Sequence, residues 1–102
     1  MMKEMLKEDR PYEKCLEMGA SALSDSELLA VMLRTGTKGQ SALELAQYLL
    51  NEQCGNEGIL NIHSFTQEKL KAIKGIGTVK AIQILCLSEL AKRLAKASAK
   101  EG

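Results

Sequence analysis

Apolar residues recur along this chain at helical spacing, in blocks separated by glycine and small polar residues. Arg10-Pro11 opens the first block, because proline is tolerated in the first helical turn. Tyr12, Cys15, Leu16 and Met18 give that helix an inner face, and Gly19 stops it. Ser24-Asp25-Ser26-Glu27 matches a capping box, with Ser24 as N-cap and Glu27 reaching back. Leu28, Leu29, Val31, Met32 and Leu33 then predict a second helix. Gly36 and Gly39 punctuate the polar segment that follows. Ala42, Leu43, Leu45, Ala46, Leu49 and Leu50 form the apolar side of a third helix. Asn51, Gly55, Asn56, Gly58 and Asn61 break the period, so residues 51–63 read as a connection, with Ile59, Leu60 and Ile62 pinning a short helical turn. Thr66 (or Ser64) caps a fourth helix running to Ile73. A fifth starts near Thr78 and continues past Leu90. Its Ala81–Leu87 section is apolar almost all round, the pattern of a central, buried helix.

Residues 1–9 are charged and lack an apolar period, and after Arg93 the pattern thins into alternating Ala and Lys. The expected organisation is a disordered segment at 1–9, one helical domain at 10–97, and a disordered tail or linker at 98–102. A length of 102 residues suits one compact domain. Tyr12, Tyr48 and Phe65 are the only aromatics, so the core must be aliphatic. Abundant Ala and Leu favour helix, and the fold class expected is all-α.

Cys15, Cys54 and Cys86 are odd in number and widely spaced, and His63 is the only histidine. That pattern excludes a zinc framework and points to reduced thiols in a cytoplasmic protein, with no metal and no cofactor. Neither a signal peptide nor a membrane-spanning run is legible, and oligomeric state has no signature. Catalysis within this chain is not expected, since no histidine or ligand cluster lies near a nucleophile.

Charge changes the picture. The formal net charge of +1 hides an asymmetry: residues 1–65 carry six Lys/Arg against ten Asp/Glu, and residues 66–102 carry eight against three. The basic excess accompanies Lys74-Gly75-Ile76-Gly77-Thr78-Val79-Lys80, where two glycines bracket an aliphatic residue between helical segments. This is the layout of a helix-hairpin-helix turn. Glycine permits a tight bend with positive φ and a close approach of main chain to ligand. The following helix would present free N–H groups and its positive dipole end to a phosphate. Gly75 and Gly77 shape the turn, amides from Gly75 to Val79 face the phosphate, and Lys80 and Lys74 supply charge. Thr78 caps the helix or donates its hydroxyl, and Ile76 plugs the turn into the core. Thr35-Gly36-Thr37-Lys38-Gly39 is a candidate second hairpin, although its acidic surroundings disfavour a phosphate and a solvated loop is the better reading. Helix, glycine turn, helix thus occurs twice. The partner expected is DNA, duplex or branched, contacted through its backbone. No Arg- or Asn-rich face for base reading and no stacking platform is apparent.

Arg10-Pro11, the block Gly19-Ala20-Ser21-Ala22-Leu23-Ser24-Asp25-Ser26-Glu27-Leu28-Leu29-Ala30, then Thr35-Gly36-Thr37-Lys38-Gly39, and Ile73-Lys74-Gly75-Ile76-Gly77 with Lys80-Ala81 closely resemble the N-terminal region of the bacterial RadC family, over roughly residues 10–93. The resemblance implies a five-helix, double helix-hairpin-helix, SAM-like bundle. In that family it precedes a metal-binding JAB/MPN-like domain with a His-x-His…Asp signature, absent from this sequence, and the family is linked to DNA repair. The second function class compatible with the sequence is a protein-interaction or regulatory module that contacts such a C-terminal domain or another partner.

Overall fold

Three reciprocal or one-sided side-chain caps set where the helices begin. In the computed structural model, which describes residues 10–37, 39–51 and 62–101, five α-helices follow one another. They are α1 (Arg10–Met18), α2 (Asp25–Leu33), α3 (Ala42–Asn51), α4 (Gln67–Lys71) and α5 (Thr78–Glu101), with a 3₁₀ turn at Ala20–Ala22. No strand occurs among the described residues, so the all-α class holds. Ser24 and Glu27 form the expected capping box at α2, with Glu27 N–H to Ser24 Oγ at 3.2 Å and Ser24 N–H to Glu27 Oε1 at 2.9 Å. Ser41 and Glu44 repeat it at α3, at 3.1 and 3.0 Å. Thr66 alone caps α4. Each such cap satisfies amides that the first turn leaves unpaired and stabilises the helix by about 1 kcal/mol.

By internal contacts the chain divides into two compact units, Met1–Leu49 and Leu50–Gly102. In the first unit α1 packs against the 3₁₀ turn and α2. Gly19 ends α1 at φ +90, with its N–H on the Cys15 carbonyl at 2.8 Å. The inner face predicted for α1 is wrong in part. Pro11 is the buried residue, Cys15 is half-buried, and Leu16 and Met18 are exposed. Polar contacts explain the rotation: Lys14 pairs with Glu27 of α2 at 3.2 Å, and Arg34 beyond α2 lies over the Tyr12 ring at 4.3 Å. On α2, Leu29, Ala30 and Leu33 are buried and Met32 is exposed. The α3 face is as predicted, with Ala42, Leu45, Ala46, Leu49 and Leu50 buried and Leu43 half-buried.

In the second unit α4 packs against α5, and Phe65, Leu70, Ile73 and Ile84 are buried. Residues 62–64 form a 3₁₀ turn, and the part of the expected connection from 52 to 61 lies outside the described residues. Ile59, Leu60, Cys54 and the segment 1–9 lie outside the described residues. α4 stops at Lys71, two residues short of Ile73. α5 is not the central buried helix predicted. Ile84 and Ser88 are buried, while Val79, Ile82, Cys86 and Leu90 are exposed. An all-round apolar sequence does not ensure an all-round cover, and α4, at five residues, is too short to supply one. α5 also continues through the Ala/Lys segment as far as Glu101. Alanine and lysine are both good helix formers.

The main-chain hydrogen bond from Ser24 lowers the Glu27 pKa below its ordinary 4.5; desolvation opposes it, and the Lys14 ammonium adds to the lowering. A depressed carboxyl contributes stability above its unfolded pKa and loses it as pH falls through the folded value. Melting temperature should therefore decline on acidification below about pH 4.5. Glu27→Gln should lower it at neutral pH and flatten that decline. Parallel profiles for the two proteins would refute the assignment.

Candidate nucleic-acid interface

The basic hairpin of the second unit is built from α4 outward. Thr66 Oγ1 accepts from the Lys69 amide at 3.1 Å and fixes the start of α4. Leu70, fully buried, anchors it. Lys69 Nζ donates to the Ser64 carbonyl at 3.2 Å, which turns that ammonium back toward the preceding turn. The chain then bends twice in succession. Ile73 N–H meets the Leu70 carbonyl at 3.1 Å, and Ile76 N–H meets the Ile73 carbonyl at 3.2 Å. Gly75 sits at φ +94, where a side chain would cost roughly 1–2 kcal/mol.

Gly77 has a different reason to be glycine. Its φ lies outside the left-handed region, and a Cβ built on it meets nothing within 4 Å. The expectation that both glycines shape the turn is thus corrected: the bend requires Gly75, and Gly77 leaves open space in front of α5. The Gly77 carbonyl accepts the Ala81 N–H at 3.0 Å, so Gly77 is the N-cap and Thr78 the first helical residue. Thr78 does not cap the helix.

The amides of Gly77, Thr78 and Val79 have no main-chain partner among the described residues, as the first turn of any α-helix dictates. All three residues are exposed, as are Lys74 and Gly75. The Ile76 amide is used within the turn and leaves the set predicted from sequence. Its half-buried side chain contributes to a groove of 320 Å³ that Leu70, Lys71, Thr78, Ile82 and Leu85 also line. Lys80, half-buried, lies in the first turn of α5. The positive end of α5 thus follows directly on a segment that carries Lys71, Lys74 and Lys80, with Glu68 the nearest acid in sequence. A helix start of this kind can receive an oxyanion. Lys71 escapes a reading of the sequence because it precedes the glycine pattern; its spacing of three from Lys74 is the available signal.

The candidate second hairpin belongs to the other unit. Arg34 takes φ +72, ψ −53, and the Thr35 N–H reaches the Leu33 carbonyl at 2.8 Å, a γ-turn of the strained hand. Thr37 and Gln40 exchange two main-chain bonds at 3.0 Å, with Gly39 at φ +87 between them; Lys38 lies outside the described residues. A Cβ on Gly36 would overlap the main chain of Gln40, Ser41 and Ala42. Thr37 has both main-chain groups engaged by Gln40, so this loop is a closed hairpin that leads into the α3 cap.

Among the described residues, no group of three or more His, Cys, Asp or Glu is placed to hold a metal ion. No helix there is long and apolar enough to cross a membrane. Cys15 and Cys86 are free thiols, and Cys86 is exposed.

The UPF0758 N-terminal family matches residues 2–82. A UPF0758 protein of Clostridium botulinum strain Hall is 50% identical over 92 residues, covering 90% of this chain and 39% of the relative. A UPF0758 protein of Geobacillus sp. strain WCH70 is 45% identical over 98 residues, covering 96% of this chain and 42% of the relative. The chain thus spans about two fifths of the length of these curated relatives. No solved structure matches it.

Proposed function

From the premise that this chain belongs to the UPF0758 family, whose N-terminal segment it matches, we propose that it binds the DNA backbone without reading sequence, through the turn Lys74–Lys80. The observation that carries this reading is the row of exposed amides at Gly77, Thr78 and Val79 without main-chain partners, with no side chain at Gly77 to block an approaching phosphate. The bend-and-helix geometry fits a helix-hairpin-helix motif, and the RadC resemblance supports the same role in a DNA-repair-associated protein. Free Cys15 and Cys86 suit a reducing cytoplasm. The reading assigns no catalytic step and no cofactor to this chain.

One turn engages a couple of phosphates, so affinity should fall in the non-specific range, about 10⁻⁴–10⁻⁶ M at physiological salt. Lys74→Ala combined with Lys80→Ala should weaken duplex binding. It should also reduce the slope of log K against log salt by up to about 1.8, at about 0.9 for each phosphate no longer neutralised. A fluorescence-anisotropy titration at several salt concentrations measures both. An unchanged slope in a folded double variant rejects the site.

A further inference from the structure

α5 carries apolar residues on the side away from its buried face. Ile84 and Ser88 are buried. Val79, Ile82, Cys86, Leu90 and Leu94 are all exposed, the four aliphatics between 54% and 76%. At helical pitch these five fall within about 120° of arc and run about 22 Å along the axis. A solvated helix face of this length does not need five apolar side chains, and contiguous exposed patches mark contacts.

We propose that this stripe pairs with the same stripe of a second copy of this chain, the two α5 helices antiparallel. The pattern is close to self-complementary. Cys86 lies at its centre, Ile82 and Leu90 lie four residues to either side, and Val79 and Leu94 lie seven and eight residues away. A two-fold axis beside Cys86 sets Ile82 of one copy against Leu90 of the other, and Val79 against Leu94, as an isologous interface requires. Gln83 and Arg93 share this arc and do not oppose the pairing. Arg93 Nε donates to Glu89 Oε2 of its own helix at 2.9 Å, so its charge is partnered before two copies meet, and Gln83 is uncharged. With four of the five side chains more than half exposed, pairing removes roughly 500–600 Å² from each copy. The total of about 1,000–1,200 Å² stands at the lower edge of specific interfaces. The dimer is therefore weak and reversible, with a Kd on the order of 10 µM. It does not depend on the DNA-binding reading.

Sedimentation equilibrium from about 5 to about 500 µM, a range that brackets such a Kd, should show the average mass rising from 11.1 kDa toward twice that value. Leu90→Lys should hold the chain monomeric at unchanged helix content by circular dichroism. Leu94→Glu serves as the second variant if the first loses helix. Orientation is read with the three native cysteines replaced by serine. Val79→Cys mixed with Leu94→Cys should form a mixed disulfide faster than either forms with itself. A chain that stays monomeric across the range overturns the pairing. A dimer that survives both charged substitutions overturns the assigned face. Preferential self-linking of Val79→Cys overturns the antiparallel arrangement.

Discussion

Gly36→Ala should lower the melting temperature by roughly 12 °C, the equivalent of about 3 kcal/mol for a domain of this size. The added methyl group has nowhere to go, because the atoms it meets are the Gln40 carbonyl and the main chain of Ser41 and Ala42. Backbone yields only by moving the segment, and two sets of hydrogen bonds hold it in place. One is the pair between Thr37 and Gln40; the other is the Ser41–Glu44 box that starts α3. Overpacking costs about 1–3 kcal/mol, and loss of the box adds about 1. Gly39→Ala provides the comparison. Its φ of +87 carries strain, but nothing lies within 4 Å of the new Cβ, so the loss should be about 1 kcal/mol. A thermal melt of the two variants ranks them, and equal stabilities would show that the loop rearranges freely.

Gly77→Asp should separate binding from folding more cleanly than any other change. Asp is among the best N-cap residues, and its carboxylate complements the positive end of α5. The space in front of Gly77 is empty, so the side chain fits. The melting temperature should hold or rise by a few degrees, on the order of 0.5–1 kcal/mol. The same carboxylate would occupy the place assigned to a phosphate, accept the amides meant for it and repel it. Duplex affinity should then drop at least tenfold, about 1.4 kcal/mol, which for a weak binder means loss of detectable binding. If the turn were only a connector, the variant would gain stability and bind as before. That result would end the backbone-binding proposal.

What can be read from the sequence is what depends on near neighbours in the chain. Ser24 with Glu27, Thr66 ahead of α4, Gly19 behind α1 and the apolar side of α3 are each decided within a turn or two of helix. The Ser41–Glu44 box is equally legible by spacing, but the glycines before it mask it as part of a loop. What cannot be read depends on distant partners or on dihedral angles. Leu16 and Met18 look like core residues until Lys14 and Arg34 orient α1 through Glu27 and Tyr12. Gly75 and Gly77 look alike on paper, yet one is needed for its φ and the other for the room it leaves. The exposure of Ile82 and Leu90 follows from how little of α5 its neighbours reach, which periodicity does not encode. The bend and its basic flank are visible in the residues alone. The amide used internally at Ile76 and the helix start at Gly77 are properties of the folded chain.

α5 leaves the hairpin at Thr78 and continues unbroken to Glu101, 24 residues or about 36 Å. A rod of that length works as a calibrated spacer. A segment following α5 would start at a set distance and a set rotational phase from the turn. Each residue inserted into the outer half of the helix would advance that start by about 1.5 Å and swing it through about 100°.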